Sequence, residues 1–295
     1  MRPILTADDY GMTRGVSQAI LDLAAARRLS ATSCMTNMPA WPYVAEALRP
    51  HRGHMSIGLH VNLTLGLPLT RNPLLTRKDG RFRSLSEWIM GPFDRLGREA
   101  LEEEISAQVA MFIECFGHPP DHIDGHQHVH LMPGVRQRFF AVLKTLDWTP
   151  RPLVRDTTQP SPGVELDGGQ RQKQLSLKAL GLGFGRGIRK LGFQTNTGFA
   201  GYSNFKPGTD YKAEISKALD IKSACAIVMC HPGHVDAELK ATGDPVVRRR
   251  QEELAGLMSL DNLPSRIWQP ARDPDGAPFD WHLFTQAPQE KARHV

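Results

Sequence analysis

The chain of 295 residues lacks the features that mark disulfide-bonded or membrane-spanning proteins. Its four cysteines contain no CxxC pair, so we expect buried, reduced thiols rather than disulfides or a zinc cluster. No apolar run reaches membrane-spanning length, and Asp8 and Asp9 interrupt the N-terminus before the apolar core of a signal peptide could form. We therefore expect a cytoplasmic protein.

Aromatic residues are also scarce, at 7%, and we find no recognised nucleic-acid-binding module. The net charge of +5 by itself therefore does not predict a nucleic-acid partner. Acidic residues are absent between Asp167 and Asp210. The basic residues of this stretch are Arg171, Lys173, Lys178, Arg186, Arg189, Lys190 and Lys206. The positive charge is thus local and suits an anionic ligand.

Segment 171–193 is both basic and rich in leucine, and glycines alternate through it from Gly181 to Gly187. We expect it to be helical in part, because glycine weakens a helix. The plainer interpretation is a barrel helix whose cations face water. The alternative is a flexible flap that approaches a membrane surface or a lipid phosphate, which would make the protein peripheral at the inner face of the membrane.

Short β-like runs alternate with helical patterns along the chain. The predicted strands are 3–6, 31–37, 56–59, 122–124, 153–155 and 225–230, and the predicted helices are 13–26, 43–48, 99–116, 134–146, 211–219 and 246–259. Thr13 is a candidate N-cap for the first of these helices. Residues 64–97 read as a long irregular stretch. This alternation predicts an α/β protein with a parallel sheet. We expect one barrel-like domain over 1–285 and a polar, flexible tail at 286–295, with an open doubly wound sheet as the competing architecture.

Acidic and histidine side chains follow four of the predicted strands. Asp8 and Asp9 follow the first and His60 the third, while DGHQHVH (124–130) and CHPGH (230–234) follow the fourth and the last. In barrels of parallel strands the active site forms at the carboxyl ends of the strands. We therefore expect these side chains to share one site.

One carboxylate and two imidazoles are a suitable ligand set for a catalytic divalent metal, because they leave positions open for water and substrate. Asp9, His60 and one of the three histidines at 126, 128 and 130 could supply the set. Asp8 would then be a general base for a metal-bound water, and His231 could protonate the leaving group.

Each motif also has a structural explanation. Adjacent aspartates are commonly solvated or cap a helix, a histidine at a strand end is commonly a hydrogen-bonded structural residue, and HPG is a common turn. The alternating histidines at 126, 128 and 130 would share one face of an extended segment, which could be a solvated edge. Only their joint position at strand ends favours the functional interpretation.

At these positions the sequence resembles the YdjC family of carbohydrate deacetylases, which includes chitooligosaccharide deacetylase and the hopanoid-biosynthesis deacetylase. The shared motifs are TADDYG, GLHVNLTLGLPL, HIDGHQHVHLMP and VMCHPGH, in the family's order over about 1–259. The resemblance implies a distorted (β/α) barrel of the polysaccharide-deacetylase type in a single domain, with one divalent ion.

The resemblance also implies residue roles. Asp9, His60 and His126 match the metal ligands. Asp8 matches the catalytic base and His231 the acid. Arg155, in LVRD, matches more loosely an arginine that orients the base, since Asp156 and Thr157 depart from the pattern. His128 and His130 receive no firm role: they could support a ligand from behind, line the pocket or simply pack. Asp124 could orient a ligand imidazole or only hydrogen-bond the loop.

The implied activity is hydrolysis of the N-acetyl group of an amino sugar, on an oligosaccharide or a lipid-linked sugar. The resemblance implies Mg²⁺, whereas the ligand set alone equally suits Zn²⁺. Two alternatives stay open: a metal-dependent phosphoesterase and a catalytically idle sugar-binding protein. A homo-oligomer is a further expectation that the sequence does not decide.

Overall fold

A computed structural model describes residues 2–90, 95–203, 208–273, 275–277 and 279–281. The predicted tail at 286–295, the domain boundary at 285 and residues 91–94 of the irregular stretch lie outside these residues. The strands are β1 (Ile4–Tyr10), β2 (Ala31–Cys34), β3 (Ser56–Val61), β4 (His122–Gly125), β5 (Leu153–Val154), β6 (Gly198–Ala200) and β7 (Ala226–Cys230).

Helices connect the strands. They are α1 (Arg14–Ala25), α2 (Trp41–Val44), α3 (Leu85–Met90), α4 (Arg95–Phe116), α5 (Pro133–Thr145), α6 (Gly168–Leu180), α7 (Phe184–Lys190), α8 (Tyr211–Ala218), α9 (Ala237–Ala241), α10 (Val247–Ser259) and α11 (Leu263–Arg266). Three short 3₁₀ segments lie at Ala45–His51, Pro73–Leu75 and His126–Leu131. Residues 64–97 are thus less irregular than predicted, because α3 and the start of α4 fall there.

The seven strands form one parallel sheet in the order β5-β4-β3-β2-β1-β7-β6. All residues of the strands are buried, as expected for a parallel sheet with helices over its faces. Thr13 caps α1 as predicted, since its Oγ1 accepts a hydrogen bond from the backbone N–H of Val16 at 3.1 Å. The sequence missed β6, because its three residues are too few to give a periodic signal.

The two edge strands of this sheet, β5 and β6, do not pair with each other, but hydrogen bonds connect the segments around them. The backbone N–H of Val154 in β5 donates to the Gln194 carbonyl at 2.9 Å. The backbone N–H of Asp156 donates to Asn196 Oδ1 at 2.7 Å, and Asn196 Nδ2 donates to the carbonyls of Asp156 and Gly198 at 3.0 and 2.9 Å. The sheet therefore curls until its edges approach each other. The prediction of a distorted (β/α) barrel is confirmed, and the open doubly wound alternative is not what forms.

Segment 171–193 is helical in part, as predicted: α6 and α7 are separated by a turn at 181–183. No residue of α6 is buried, whereas α7 buries Phe184, Gly185 and Ile188. The four cysteines are free thiols, and three of them are buried, while Cys115 is partly exposed. Among the described residues, no helix combines the length and the apolar character needed to cross a bilayer.

Candidate active site

The adjacent carboxylates of Asp8 and Asp9 lie within β1 near its carboxyl end, not after the strand as predicted. Pairing with β2 becomes irregular between Ala7 and Tyr10, and Asp9 has a left-handed backbone with φ of 72°. Such a bulge re-aims the side chains that follow it. The two carboxylates consequently reach different partners although they are neighbours in the chain.

Asp9 meets the two histidines that the sequence proposed as its fellow ligands. Its Oδ1 lies 2.9 Å from His126 Nδ1 and 3.4 Å from His60 Nε2. The three residues are buried, and each offers one ligand atom within 4.8 Å of the others. Burial raises the pKa of Asp9, but Arg250 and His126 outweigh it and hold that pKa well below its ordinary value. This set has the donor chemistry of a catalytic divalent-metal site.

Asp124 orients His60. Its Oδ1 lies 2.5 Å from His60 Nδ1, which turns Nε2 of the same ring toward Asp9. Burial lowers the pKa of His60, but Asp124 and Asp8 raise it to about 10. A carboxylate behind a ligand imidazole is the usual arrangement at metal sites. One of the two roles predicted for Asp124, orientation of a ligand imidazole, therefore agrees with this geometry.

Asp8 pairs with Arg155 instead of the histidines. Arg155 NH1 and NH2 donate to the two carboxylate oxygens at 2.7 Å each, and both side chains are buried. Arg155 NH2 also lies 2.5 Å from Asp124 Oδ2. Asp8, His60 and Asp124 come close enough to form a second ligand set. Arg155 binds both carboxylates of that set, whereas Asp9 Oδ1 faces the two imidazoles, so among the described residues the Asp9 set suits a metal better.

His231 lies across from Asp8, with Nε2 4.0 Å from Asp8 Oδ2, too far for a hydrogen bond. Its backbone N–H donates to Glu253 Oε2 at 2.5 Å. Burial lowers the pKa of the His231 imidazole, against the opposing effect of Asp9 and Asp8. One substrate atom beside the two groups could lie within hydrogen-bonding distance of both this ring and Asp8.

The prediction that the histidines at 126, 128 and 130 share one face of an extended segment is wrong. The strand ends at Gly125, and positive φ angles of 50° at Gln127 and 58° at His128 turn the chain into a 3₁₀ segment. His126 therefore reaches Asp9, and His128 faces Phe199 with ring centroids 6.1 Å apart. His130 is buried away from them, with Nε2 3.0 Å from the Arg155 carbonyl. Burial lowers the pKa of His130 to about 4.

The sequence missed several residues that complete the site. Arg250 NH2 lies 2.7 Å from Asp9 Oδ2, and Ser33 Oγ donates to Asp124 Oδ2 at 2.7 Å. Arg250 precedes the buried Leu254 and Leu257 by four and seven positions, so it lies on the apolar stripe of α10. A cation on such a stripe was the available signal for a buried ion pair.

A cavity of about 640 Å³ opens over these residues. Asp8, Asp9, His60, His126, His128, His231 and Arg250 line its floor and sides. One face of α6 lines it as well, through Gly169, Gln172, Lys173, Ser176, Leu177 and Leu180. These positions follow helical spacing, so one face of this exposed helix lies along the cavity, where Leu177 and Leu180 also pack against the core.

Comparison with solved structures agrees with this fold. A protein from Enterococcus faecalis V583 superposes with a TM-score of 0.67 at 19% sequence identity, covering 91% of this chain and 97% of that one. At that identity the likeness concerns the fold alone.

Sequence comparison is more specific. A chitooligosaccharide deacetylase from Proteus mirabilis (strain HI4320) is 29% identical over 267 residues, which cover 87% of this chain and 91% of the relative. A carbohydrate deacetylase from Danio rerio is 38% identical over 148 residues, 48% of this chain, and the alignment spans only 45% of that relative. Both relatives are named as carbohydrate deacetylases, which confirms the predicted enzyme class. Residues 2–262 match the model of the family described as YdjC-like protein, so the chain belongs to the YdjC-like family.

Proposed function

We propose that the protein removes the N-acetyl group from an amino-sugar substrate by hydrolysis, with one divalent metal ion held by Asp9, His60 and His126. The observation that supports this most directly is the division of the adjacent carboxylates. Asp9 faces two imidazoles, while Asp8, beside it, pairs with Arg155 and faces His231. Metal-assisted hydrolysis of an amide needs a metal ligand and a general base side by side.

The donor set fits a metal ion. Its three ligand atoms converge, and Asp124 orients His60 so that Nε2 points to Asp9. A divalent ion bound there supplies Lewis acidity toward the acetyl carbonyl oxygen and a water of lowered pKa. Two imidazoles and a carboxylate suit Zn²⁺, whereas the family resemblance implies Mg²⁺.

Asp8 is the proposed general base. It accepts a proton from the attacking water, and Arg155 fixes the plane of its carboxylate through two hydrogen bonds of 2.7 Å. Because Arg155 is itself tied to Asp124 and Ser33, the carboxylate cannot rotate freely. Its position relative to the Asp9 site is thereby fixed before substrate arrives.

His231 is the proposed general acid. The sugar amine is a poor leaving group and must receive a proton as the C–N bond breaks. Burial lowers the pKa of His231, so its protonated form gives up a proton more readily. Its Nε2 and Asp8 Oδ2 are 4.0 Å apart, so one substrate atom could lie within hydrogen-bonding distance of both, which supports the pairing of acid and base.

The cavity supports a sugar substrate. Gln172 and Ser176 of α6 offer polar atoms to hydroxyl groups, while Leu177 and Leu180 of the same face offer apolar contact. The relatives in the comparison are named carbohydrate and chitooligosaccharide deacetylases. This supports an N-acetylated carbohydrate, either an oligosaccharide or a sugar linked to a lipid.

Membrane contact through segment 171–193 is a separate, subordinate proposal. Leu175 and Leu182 are 59% and 81% exposed, and the basic residues Arg186, Arg189 and Lys190 follow them on the surface. Exposed leucines beside cations suit the surface of an anionic bilayer. A cytoplasmic location, peripheral to the membrane, would accompany this contact.

The test is acetate release from purified protein. Metal-free protein is supplied with Mg²⁺ or Zn²⁺ and offered N-acetylated chito-oligosaccharides and lipid-linked N-acetyl sugars, with Asp9→Ala alongside. Acetate from the wild type alone supports the proposal and identifies the metal and substrate class. Release of phosphate from phosphate esters without any acetate would replace it with a phosphoesterase. Sugar binding without any turnover would make the chain a sugar-binding protein.

A further inference from the structure

Arg250 contacts the proposed metal ligand Asp9 through Oδ2, the carboxylate oxygen that does not face the two histidines. Its NH2 lies 2.7 Å from Asp9 Oδ2, and its Nε lies 2.6 Å from Asp244 Oδ2. The side chains of Arg250 and Asp9 are each 1% exposed. Arg250 is therefore part of a buried chain of charges that runs Asp9, Arg250, Asp244.

The two oxygens of Asp9 are divided between different neighbours. Oδ1 faces His126 and His60, whereas Oδ2 accepts the hydrogen bond from Arg250. A carboxylate can bind a metal through one oxygen or through both. With Oδ2 occupied by a guanidinium, only Oδ1 is available beside the two imidazoles.

Regular strand pairing does not orient the Asp9 side chain, so the contact with Arg250 matters for the direction of its carboxylate. The φ of 72° at Asp9 falls where β1 departs from regular pairing with β2. The carboxylate plane is thus determined by side-chain partners more than by the sheet.

Arg250 is also joined to the turn that contains His231. The backbone N–H of Gly233 donates to the Arg250 carbonyl at 3.1 Å. A Cβ added to Gly233 would lie 3.2 Å from both Cβ and Cδ of Arg250, so the turn rests directly on that side chain. One residue of α10 thereby contacts both the proposed metal ligand and the turn that contains the proposed acid.

From these contacts we infer that Arg250 is a positioning residue that makes Asp9 a one-oxygen ligand to the metal. The inference rests on the metal site of the proposed function. It assigns no contact between Arg250 and the metal or the substrate. A guanidinium can bond two carboxylates at fixed angles, which the single ammonium of lysine cannot do.

Co²⁺ binding tests the inference without any substrate. Arg250→Lys keeps the charge but loses the separate nitrogens that bond Asp9 and Asp244. We therefore expect Co²⁺ affinity to fall about 10- to 100-fold. We also expect a changed visible absorption spectrum at saturating Co²⁺, because Asp9 can then turn its second oxygen to the ion. Arg249→Lys is the matched control: Arg249 is equally buried on the same helix, but its carboxylate partners are Glu214, Glu252 and Glu253.

Arg250→Met distinguishes positioning from simple repulsion. If Arg250 acted only as a nearby positive charge, Arg250→Met would bind Co²⁺ more tightly and Arg250→Lys would match the wild type, which overturns the inference. Equal losses in Arg250→Lys and Arg249→Lys would also overturn it. A wild type that does not bind Co²⁺ refutes the metal site itself.

If circular dichroism shows that Arg250→Lys does not fold, Co²⁺ binding by Asp244→Asn tests the positioning role instead. This variant weakens the anchor of Arg250 and leaves its contact with Asp9. Weaker Co²⁺ binding by Asp244→Asn supports the inference, and unchanged binding overturns it.

Discussion

Arg155 forms a two-pronged ion pair with Asp8, with both oxygens of the carboxylate 2.7 Å from its guanidinium nitrogens. The next residue, Asp9, pairs with a different guanidinium, that of Arg250, at 2.7 Å. Two adjacent carboxylates that would repel each other are thus each compensated separately. This separation allows them to have different functions.

Replacement of each carboxylate by its amide should separate those functions. Asp9→Asn removes a charged ligand, and we expect metal affinity to fall by at least about 10-fold together with activity. Asp8→Asn leaves the ligand set intact, so we expect metal binding to persist while acetate release falls about 10²- to 10⁴-fold. Calorimetric titration with Zn²⁺ and an acetate assay on both variants are the measurements. Equal loss of metal in both variants would show that the roles are shared.

Arg155→Lys should lower kcat by about 10²-fold with little change in KM, because one ammonium cannot hold both oxygens of Asp8. Arg151→Lys is a suitable control, since Arg151 stacks on Phe193 with its guanidinium carbon 4.9 Å from the ring centre. Steady-state kinetics on the two variants gives the comparison. A wild-type kcat for Arg155→Lys would remove orientation of Asp8 from the mechanism.

His231→Ala should lose most of the activity, about 10²- to 10⁴-fold, and retain the metal. The control on the same turn is His234→Ala, because His234 pairs instead with Asp22 at 3.0 Å. Acetate release and metal content are measured for both. Loss of the metal from His231→Ala would reassign this histidine as a ligand.

Acid should destabilise the fold through His122. Its ring is buried between Ser33 Oγ and Ser56 Oγ, at 3.0 and 2.8 Å, and burial lowers its pKa from 6.5 to about 4. The unfolded chain therefore binds the proton first as pH falls, and stability is lost from about pH 6.5 down to about pH 4.

Between about pH 7 and about pH 5 this loss amounts to about 2 kcal/mol of unfolding free energy. Urea unfolding of the wild type and of His122→Gln at the two pH values measures it, with a smaller pH difference expected in the variant. An identical pH difference in both proteins would mean that other groups cause the acid sensitivity.

The triple variant Arg186→Ala/Arg189→Ala/Lys190→Ala should lose binding to anionic liposomes that the wild type shows. Three exposed lysines elsewhere, Lys217, Lys222 and Lys240, replaced together by alanine, serve as the control. Vesicle co-sedimentation is the measurement. Absence of binding by the wild type would end the membrane proposal.

Local patterns in the sequence were sufficient for much of the fold. The alternation of apolar strands with amphipathic helices predicted a parallel α/β barrel, and Thr13 was recognisable as the cap of α1. Closure of the barrel could not be predicted. It depends on hydrogen bonds between residues distant in the chain, such as Asn196 with Asp156 and Val154 with Gln194, which leave no local pattern.

The candidate site, like the fold, was predictable from the sequence only in part. Asp8, Asp9, His60, His126 and His231 were recognisable in the sequence because acids and histidines lie at the carboxyl ends of apolar runs. That His126 rather than His128 or His130 approaches Asp9 was implied only by family resemblance. The physical reason lies in the left-handed backbone at Gln127 and His128, which sends the three rings in different directions.

By itself, the sequence determined which chemical groups gather at the strand ends, because strand order and side-chain type are local properties. Only the tertiary structure decided which guanidinium compensates which carboxylate. Arg155 and Arg250 lie far from Asp8 and Asp9 in the chain, and a buried charge takes whichever partner the packing of β5 and α10 brings to it. In the proposed function, that pairing leaves Asp9 for the metal ion and Asp8 beside it as the base.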